Sequence, residues 1–354
     1  MSLNKLLFVG LLAFSLVLFC SGCTETGQDQ RSEFGALNGS DTAEGAGNEG
    51  AEGESTGTDG NIIVAVSILP QAEFVEAVGG DRVQTIVMIP PGASPATHDP
   101  TPGQLRDISE ARMYAIVGSG LAFEEVWLDK LEVINGEMLV VDCSKGIPLR
   151  DMETHFHEGD EAGVRYVNDE EYGAEEAGEH DAEEGAESEH EHSGKDPHIW
   201  NSPVNAKLMV ENIYQGLVQI DPANETYYRQ NRDVYLSRLD VLDAKIRKDL
   251  EGRENSTFMV FHPSWGYFAD EYGLTMLPIE IEGKEPSVQD LARMVDLAKE
   301  KDIRVIFIQA QFSPRSAEAV AEEIGGEVVV VDPLAPNYLE NMEEVSGIFA
   351  RNLA

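Results

Sequence analysis

The eight histidines of this 354-residue chain fall into two groups. Five crowd into one acidic stretch. The other three, His98, His198 and His262, stand apart in segments of mixed, globular composition. His262 ends the apolar, β-branched run Thr257–Phe261. Two further runs end in polar groups: Arg304–Ile308 at Gln309, and Glu327–Val331 at Asp332. In a doubly wound parallel sheet, ligands bind beyond the carboxyl ends of the strands. The rule places an imidazole, an amide and a carboxylate on one rim. His98 follows the run Val83–Ile89 in the proline-rich stretch 90–95, and His198 lies in Asp196-Pro197-His198-Ile199-Trp200, just before a helix. Taken singly, each histidine reads as well as a structural residue. Their coincidence with strand ends and with loops between two lobes is what points to a site. Neutral imidazole suits Zn²⁺ at ~2.0–2.1 Å, and a carboxylate can complete a tetrahedron. A mainly imidazole set favours Zn²⁺ over Mn²⁺, which prefers oxygen. Gln309 is not assigned as a ligand.

The elements that must position these residues have a repeated grammar. Short unbroken apolar runs occur at Ile62–Ile68, Val83–Ile89, Met113–Val117 and Met138–Val141. They recur at Thr257–Phe261, Leu274–Ile279, Arg304–Ile308 and Glu327–Val331. Helical segments fall between them, at Ala72–Val78 before Gly79-Gly80, at Gln104–Ala111, at Ser287–Lys301, and at Arg315–Ile324 before Gly325-Gly326. Such runs are buried parallel strands in an α/β layer. The expected fold is therefore α/β: two lobes, each with a roughly four-stranded parallel sheet flanked by helices. After the helix-entry sequence Asp221-Pro222-Ala223-Asn224, apolar or aromatic residues recur at Tyr228, Tyr235, Leu239, Leu242, Ile246 and Leu250. That spacing keeps one helix face apolar. It describes one long rigid helix joining the lobes or, alternatively, an ordinary helix within one of them. The division expected is an N-terminal lobe over 61–203, a helical connection over 204–251 and a C-terminal lobe over 252–354.

The N-terminus reads as an address. Lys5 precedes the apolar run Leu6–Phe19, too short for a comfortable membrane span of ~20 residues. Ser21-Gly22-Cys23 then resembles the lipobox of secreted lipoproteins, with Cys23 as the lipidated residue and residues 1–23 as signal peptide; an uncleaved anchor is the alternative. Either way the remainder faces outward from the membrane. Residues 24–60, rich in Gly, Ser, Thr and Glu, are expected to be a disordered acidic tether. The formal net charge of −40 excludes nucleic acid as a partner and makes a cation the natural one. Of three cysteines only Cys143 lies in the folded part, where it reads as a buried thiol. There is no HExxH element, so binding rather than catalysis is expected.

Residues 151–195 hold His155, His157, His180, His190 and His192 among Asp, Glu, Gly and Ala. This low-complexity loop is expected to be disordered. It is either a weak, multivalent metal collector beside the cleft or a solvated acidic insertion.

From about residue 61 to the end, the sequence resembles the metal-binding solute receptors of bacterial and archaeal zinc/manganese ABC importers. The resemblance rests on Gly79-Gly80-Asp81-Arg82-Val83, Pro90-Pro91-Gly92-Ala93-Ser94-Pro95, Pro100-Thr101-Pro102 and Asp196-Pro197-His198-Ile199-Trp200. It continues through Asp221-Pro222-Ala223-Asn224, Phe261-His262-Pro263-Ser264-Trp265-Gly266-Tyr267-Phe268 and Val331-Asp332-Pro333-Leu334. It implies two α/β lobes joined by a rigid helix. It implies His198 and His262 as metal histidines and Asp332 as the carboxylate of the second lobe. One departure matters: with Asp99-Pro100-Thr101 in register, Ala96 stands where the family carries its first histidine, and His98 falls two residues later. Positions two apart in an extended loop share a side, so His98 is the expected substitute. The resemblance further implies a monomeric, lipid-anchored receptor on the outer face of the cell membrane. It would pass Zn²⁺ to an ABC permease driven by a separate ATPase, since no P-loop occurs here. A receptor for Mn²⁺ or another divalent metal, or a metal-binding surface adhesin, are the alternatives.

Overall fold

Eight of the apolar runs become strands, and all their pairings are parallel. The computed structural model describes residues 61–152, 194–280 and 286–353. The N-terminal segment 1–60, with Cys23 and the tether, lies outside the described residues, as do the five histidines of the acidic stretch.

The first sheet comprises β1 (Ile62–Val66), β2 (Val83–Val87), β3 (Met113–Ile116) and β4 (Leu139–Asp142), in the order β2-β1-β3-β4. The second comprises β5 (Thr257–Val260), β6 (Thr275–Pro278), β7 (Val305–Ile308) and β8 (Glu327–Val330), in the order β6-β5-β7-β8. The two windings are the same. Each chain segment leaves its first strand toward one edge and returns past it to build the other. The carboxyl ends of β1 and β3, and of β5 and β7, are thus the switch points where a ligand crevice opens. The ladders stop short of the apolar runs: β1 ends at Val66, yet Ser67 and Ile68 are fully buried. Burial, not strand pairing, sets the length of an apolar run.

The helices are α1 (Leu69–Gly79), α2 (Pro102–Ile108), α3 (Ala122–Ile134), α4 (Pro203–Ile220) and α5 (Glu225–Asp249). After them come α6 (Gly266–Tyr272), α7 (Val288–Glu300), α8 (Arg315–Ile324) and α9 (Tyr338–Asn352). Local chemistry explains their ends. Thr101 and Gln104 form a capping box at α2, and Ser287 and Asp290 another at α7. Gly325 closes α8 in the left-handed region. Helix α4 lies flush on the first sheet at Gly216. A Cβ there would come within 2.6 Å of Val141 and 2.8 Å of Met113.

Helix α5 buries Tyr228, Tyr235, Leu239, Leu242 and Ile246 on one face. It packs on α4, α1 and α9. Tyr235 donates to Glu73 of α1 at 2.7 Å, and Asp249 accepts from Ser346 of α9 at 2.9 Å. One apolar core runs from β1 through α4, α5 and α9 to one face of the second sheet. The opposite face of that sheet has its own core with α7 and α8. Alternation along β5 divides its side chains between them: Phe258 and Val260 face the first core, Met259 the second. Phe349 of α9 closes the shared core against Phe258, Phe268 and Phe307, at ring centroid distances of 4.7, 5.3 and 4.5 Å.

Candidate metal centre

His262 is the first residue past the carboxyl end of the switch strand β5 and its extension Phe261. Its backbone carbonyl accepts from the Gln309 amide at 3.1 Å, and that amide also donates to Ser264 Oγ at 2.5 Å. Gln309, at the end of β7, therefore braces the His262 turn from the neighbouring switch strand. The His262 ring stacks on Phe312, with centroids 4.9 Å apart and planes at 21°. Its Nδ1 lies 2.5 Å from Glu280 Oε2. Glu280 lies two residues past β6, after the buried Ile279, and is itself buried.

His198 begins a tight turn, Ile199–Asn201, that leads into α4. Its Nδ1 lies 2.8 Å from Asp196 Oδ1, and the same oxygen accepts from the His198 backbone N–H at 3.0 Å. Asp196 is fully buried. This segment is tied to loops of the second sheet. The Trp200 indole donates to the Pro333 carbonyl at 2.8 Å, and the Tyr338 hydroxyl donates to the Trp200 carbonyl at 2.8 Å. The Asn201 amide donates to the Ser264 carbonyl at 2.7 Å. His198 and His262 consequently stand side by side, with ring centroids 5.2 Å apart and planes at 76°.

The chemistry of this pair follows from its partners. A ring nitrogen facing a carboxylate oxygen carries a proton, so in a neutral ring held this way the free lone pair is on Nε2. Carboxylate–histidine pairs of this kind fix the tautomer and aim the ring at a metal. Two imidazoles bound to one tetrahedral ion at ~2.0–2.1 Å place their ring centres roughly 5 Å apart, the separation found here. Burial lowers the His198 pKa below the ordinary imidazole value, against the pull of Asp196. The ring is thus neutral, as a metal ligand must be.

The other two expected residues are placed differently. His98 lies half-buried in the loop after β2 and packs on Phe123 of α3, with centroids 6.0 Å apart. Its Nε2 is shielded from solvent and has no hydrogen-bond partner. Its neighbour Asp99 accepts from the Trp127 indole at 3.2 Å. Ala96, in the same loop, is exposed. Asp332 follows β8 and uses Oδ1 to accept from Gln311 at 3.1 Å and from the Leu334 N–H at 2.9 Å. Among the described residues, no three His, Cys, Asp or Glu side chains converge as a metal site. The structure thus brings two of the four expected ligands together. Asp196 and Glu280, which orient those two, had no role in the sequence reading. The strand-end rule that found His262 and Asp332 also points to Glu280, at the end of β6.

Residues 64–351 match the family model of zinc-uptake complex component A, periplasmic. The chain belongs to this family. It is 31% identical over 305 residues to the high-affinity zinc uptake system protein ZnuA of Bacillus subtilis strain 168, covering 85% of this chain and 87% of that protein. It is 26% identical over 298 residues to the zinc-binding lipoprotein AdcA of Streptococcus pneumoniae, covering 81% of this chain but only 54% of AdcA. A crystal structure of ZnuA superposes with a TM-score of 0.70 at 35% identity, covering 83% of this chain and 99% of that one. The two parallel four-stranded sheets flanked by helices and the family expected from the sequence are those found.

Proposed function

We propose that this chain is an extracytoplasmic receptor that captures Zn²⁺ and delivers it to an ABC permease for uptake. The observation that carries the reading is the paired geometry of His198 and His262. Each has its Nδ1 held by a buried carboxylate, and the rings are 5.2 Å apart at the switch-point rim of the second sheet. Imidazole nitrogen as the leading donor favours zinc over manganese. Family membership and the zinc-uptake function named for the Bacillus relative support the same cargo.

His98, with its shielded and unpartnered Nε2, and Asp332 complete the ligand set when the ion enters. His155, His157, His180, His190 and His192 act as a weak collector of metal beside this site. Residues 61–203 and 252–354 form the two lobes, with α5 the stiff spine of the connection over 204–251. Cys23 carries the lipid anchor, residues 24–60 are the tether, and the receptor works as a monomer. A separate ATPase powers the permease, and the receptor itself performs no catalysis.

The test is a titration of the purified chain with Zn²⁺ and with Mn²⁺ against competing chelators. One tight zinc site, far stronger than manganese and lost in His198→Ala and His262→Ala, is expected. A manganese preference, or tight binding that survives both substitutions, would refute the reading.

A further inference from the structure

We propose that Arg150 is a positioning residue of this centre, its guanidinium spanning the two segments that carry His198 and His262 and fixing one against the other. The inference rests on the metal-capture reading above.

Arg150 reaches in two directions. Nη1 lies 3.2 Å from Asp196 Oδ2, while the other oxygen of that carboxylate holds His198. Nε lies 3.0 Å from Asp270 Oδ2 on α6, the helix that follows the His262 turn. The backbone repeats the connection. The Arg150 N–H donates to the Tyr267 hydroxyl at 3.1 Å, and that hydroxyl donates to the Asp196 carbonyl at 3.1 Å. The guanidinium also lies 5.9 Å from the centre of the Tyr267 ring.

Gly266, the first residue of α6, gives independent evidence of how closely the group is seated. A Cβ at Gly266 would lie 1.3 Å from Arg150 Nη1 and 2.7 Å from Asp196 Oδ2. The guanidinium and the carboxylate thus occupy the space a side chain would take, directly against the backbone of α6. Only glycine leaves that room.

The consequence is geometric. Asp196 is fully buried, and a cation beside a buried carboxylate offsets the cost of burying its charge. With Arg150 on Oδ2, Oδ1 is left to face His198. The same cation ties this carboxylate to α6, so its planar fork adds to the bonds that set the separation of the two imidazoles. Lysine, a point charge on a flexible stem, cannot bond in both directions with the same fixed angle.

The test compares wild type, Arg150→Met, Arg150→Lys and Asp270→Asn in the full chain. Three readouts are taken: Zn²⁺ affinity by chelator competition, the d–d absorption of bound Co²⁺ as a tetrahedral probe, and metal-free thermal melting. Arg150→Met is expected to bind Zn²⁺ about 10–100-fold more weakly, the usual cost of losing a residue that orients a ligand. Arg150→Lys recovers only part of this. Asp270→Asn, at an exposed position, melts like wild type yet loses affinity severalfold and weakens the cobalt bands. If Arg150→Met fails to fold, the other two variants decide by the same criteria. Wild-type affinity and an unchanged cobalt spectrum in the folded variants would overturn the proposal. So would a loss that only tracks lower melting temperature, with the cobalt spectrum intact. Failure of wild type itself to bind zinc would overturn the metal-capture reading and this inference together.

Discussion

Trp200, two residues past His198, donates its indole N–H to the carbonyl of Pro333, the residue after Asp332, at 2.8 Å. The bond is buried and joins the turn that carries one expected ligand to the loop that carries another. Replacing Trp200 by Phe keeps most of the ring but leaves the Pro333 carbonyl without its donor. An unsatisfied buried acceptor costs about 1–3 kcal/mol. Trp200→Phe should therefore lower the unfolding free energy by at least that amount in a urea titration, since the smaller ring also leaves a cavity. It should also weaken Zn²⁺ binding, because the His198 turn loses a tie to the Asp332 loop. Unchanged stability would mean that water or a neighbour replaces the indole.

Glu280 holds His262 as Asp196 holds His198. Glu280→Gln keeps an oxygen that can accept from Nδ1–H but removes the charge that strengthens this bond. Zinc affinity should fall about 10–100-fold, with little change in metal-free melting. Chelator competition measures the first quantity and calorimetry the second. A loss of folding without a loss of affinity per folded molecule would show that Glu280 serves the core of the second sheet rather than the site.

His98 tests a different matter, the first ligand. Its loop is held by local bonds, such as those from the backbone N–H groups of Thr97 and His98 to the Ser94 carbonyl, at 3.2 and 3.1 Å. Such a loop can shift when an ion arrives. His98→Ala should weaken Zn²⁺ binding at least tenfold, about 1.4 kcal/mol. Wild-type affinity in this variant would mean that the loop supplies no ligand, as the alanine at position 96 would then suggest.

The sequence was informative where burial writes a periodic or continuous pattern. All eight strands left apolar runs, and the buried face of α5 is the heptad-like series from Tyr228 to Ile246. Helices α3, α6 and α9 escaped notice; Glu124 is buried in α3 and Ser346 in α9, which blurs their apolar faces. Of the expected ligands, His262 and Asp332 were legible because they follow strands. Arg150 was not, because its partners lie 46 and 120 positions away and only the fold brings them to Gly266. The pairing of His198 with Asp196 lay two residues apart in plain view. Its meaning depends on the turn at Pro197 that folds the carboxylate back under the ring.

Glu124 offers a prediction about stability instead of binding. Its carboxyl is fully buried where the ends of β1 and β3 meet α3. It accepts from the Val117 N–H at 2.6 Å, from the Gly118 N–H at 2.9 Å and from the Ser67 hydroxyl. Burial, with a smaller push from Asp142, outweighs these donors and raises its pKa to about 7 from the ordinary carboxylate value of 4.5. Between these values the folded chain binds more protons than the unfolded one, so stability falls as pH rises. The contribution is fully present below the unfolded pKa and is lost as pH passes through about 7. Its size is about 3 kcal/mol, from 1.36 kcal/mol per pKa unit. Glu124→Gln removes the titration while keeping an acceptor. The difference in unfolding free energy between Glu124→Gln and wild type should then grow in favour of the variant from pH 4.5 to pH 7.5. A flat difference across that range would mean that Glu124 is ionised throughout, its three donors outweighing burial.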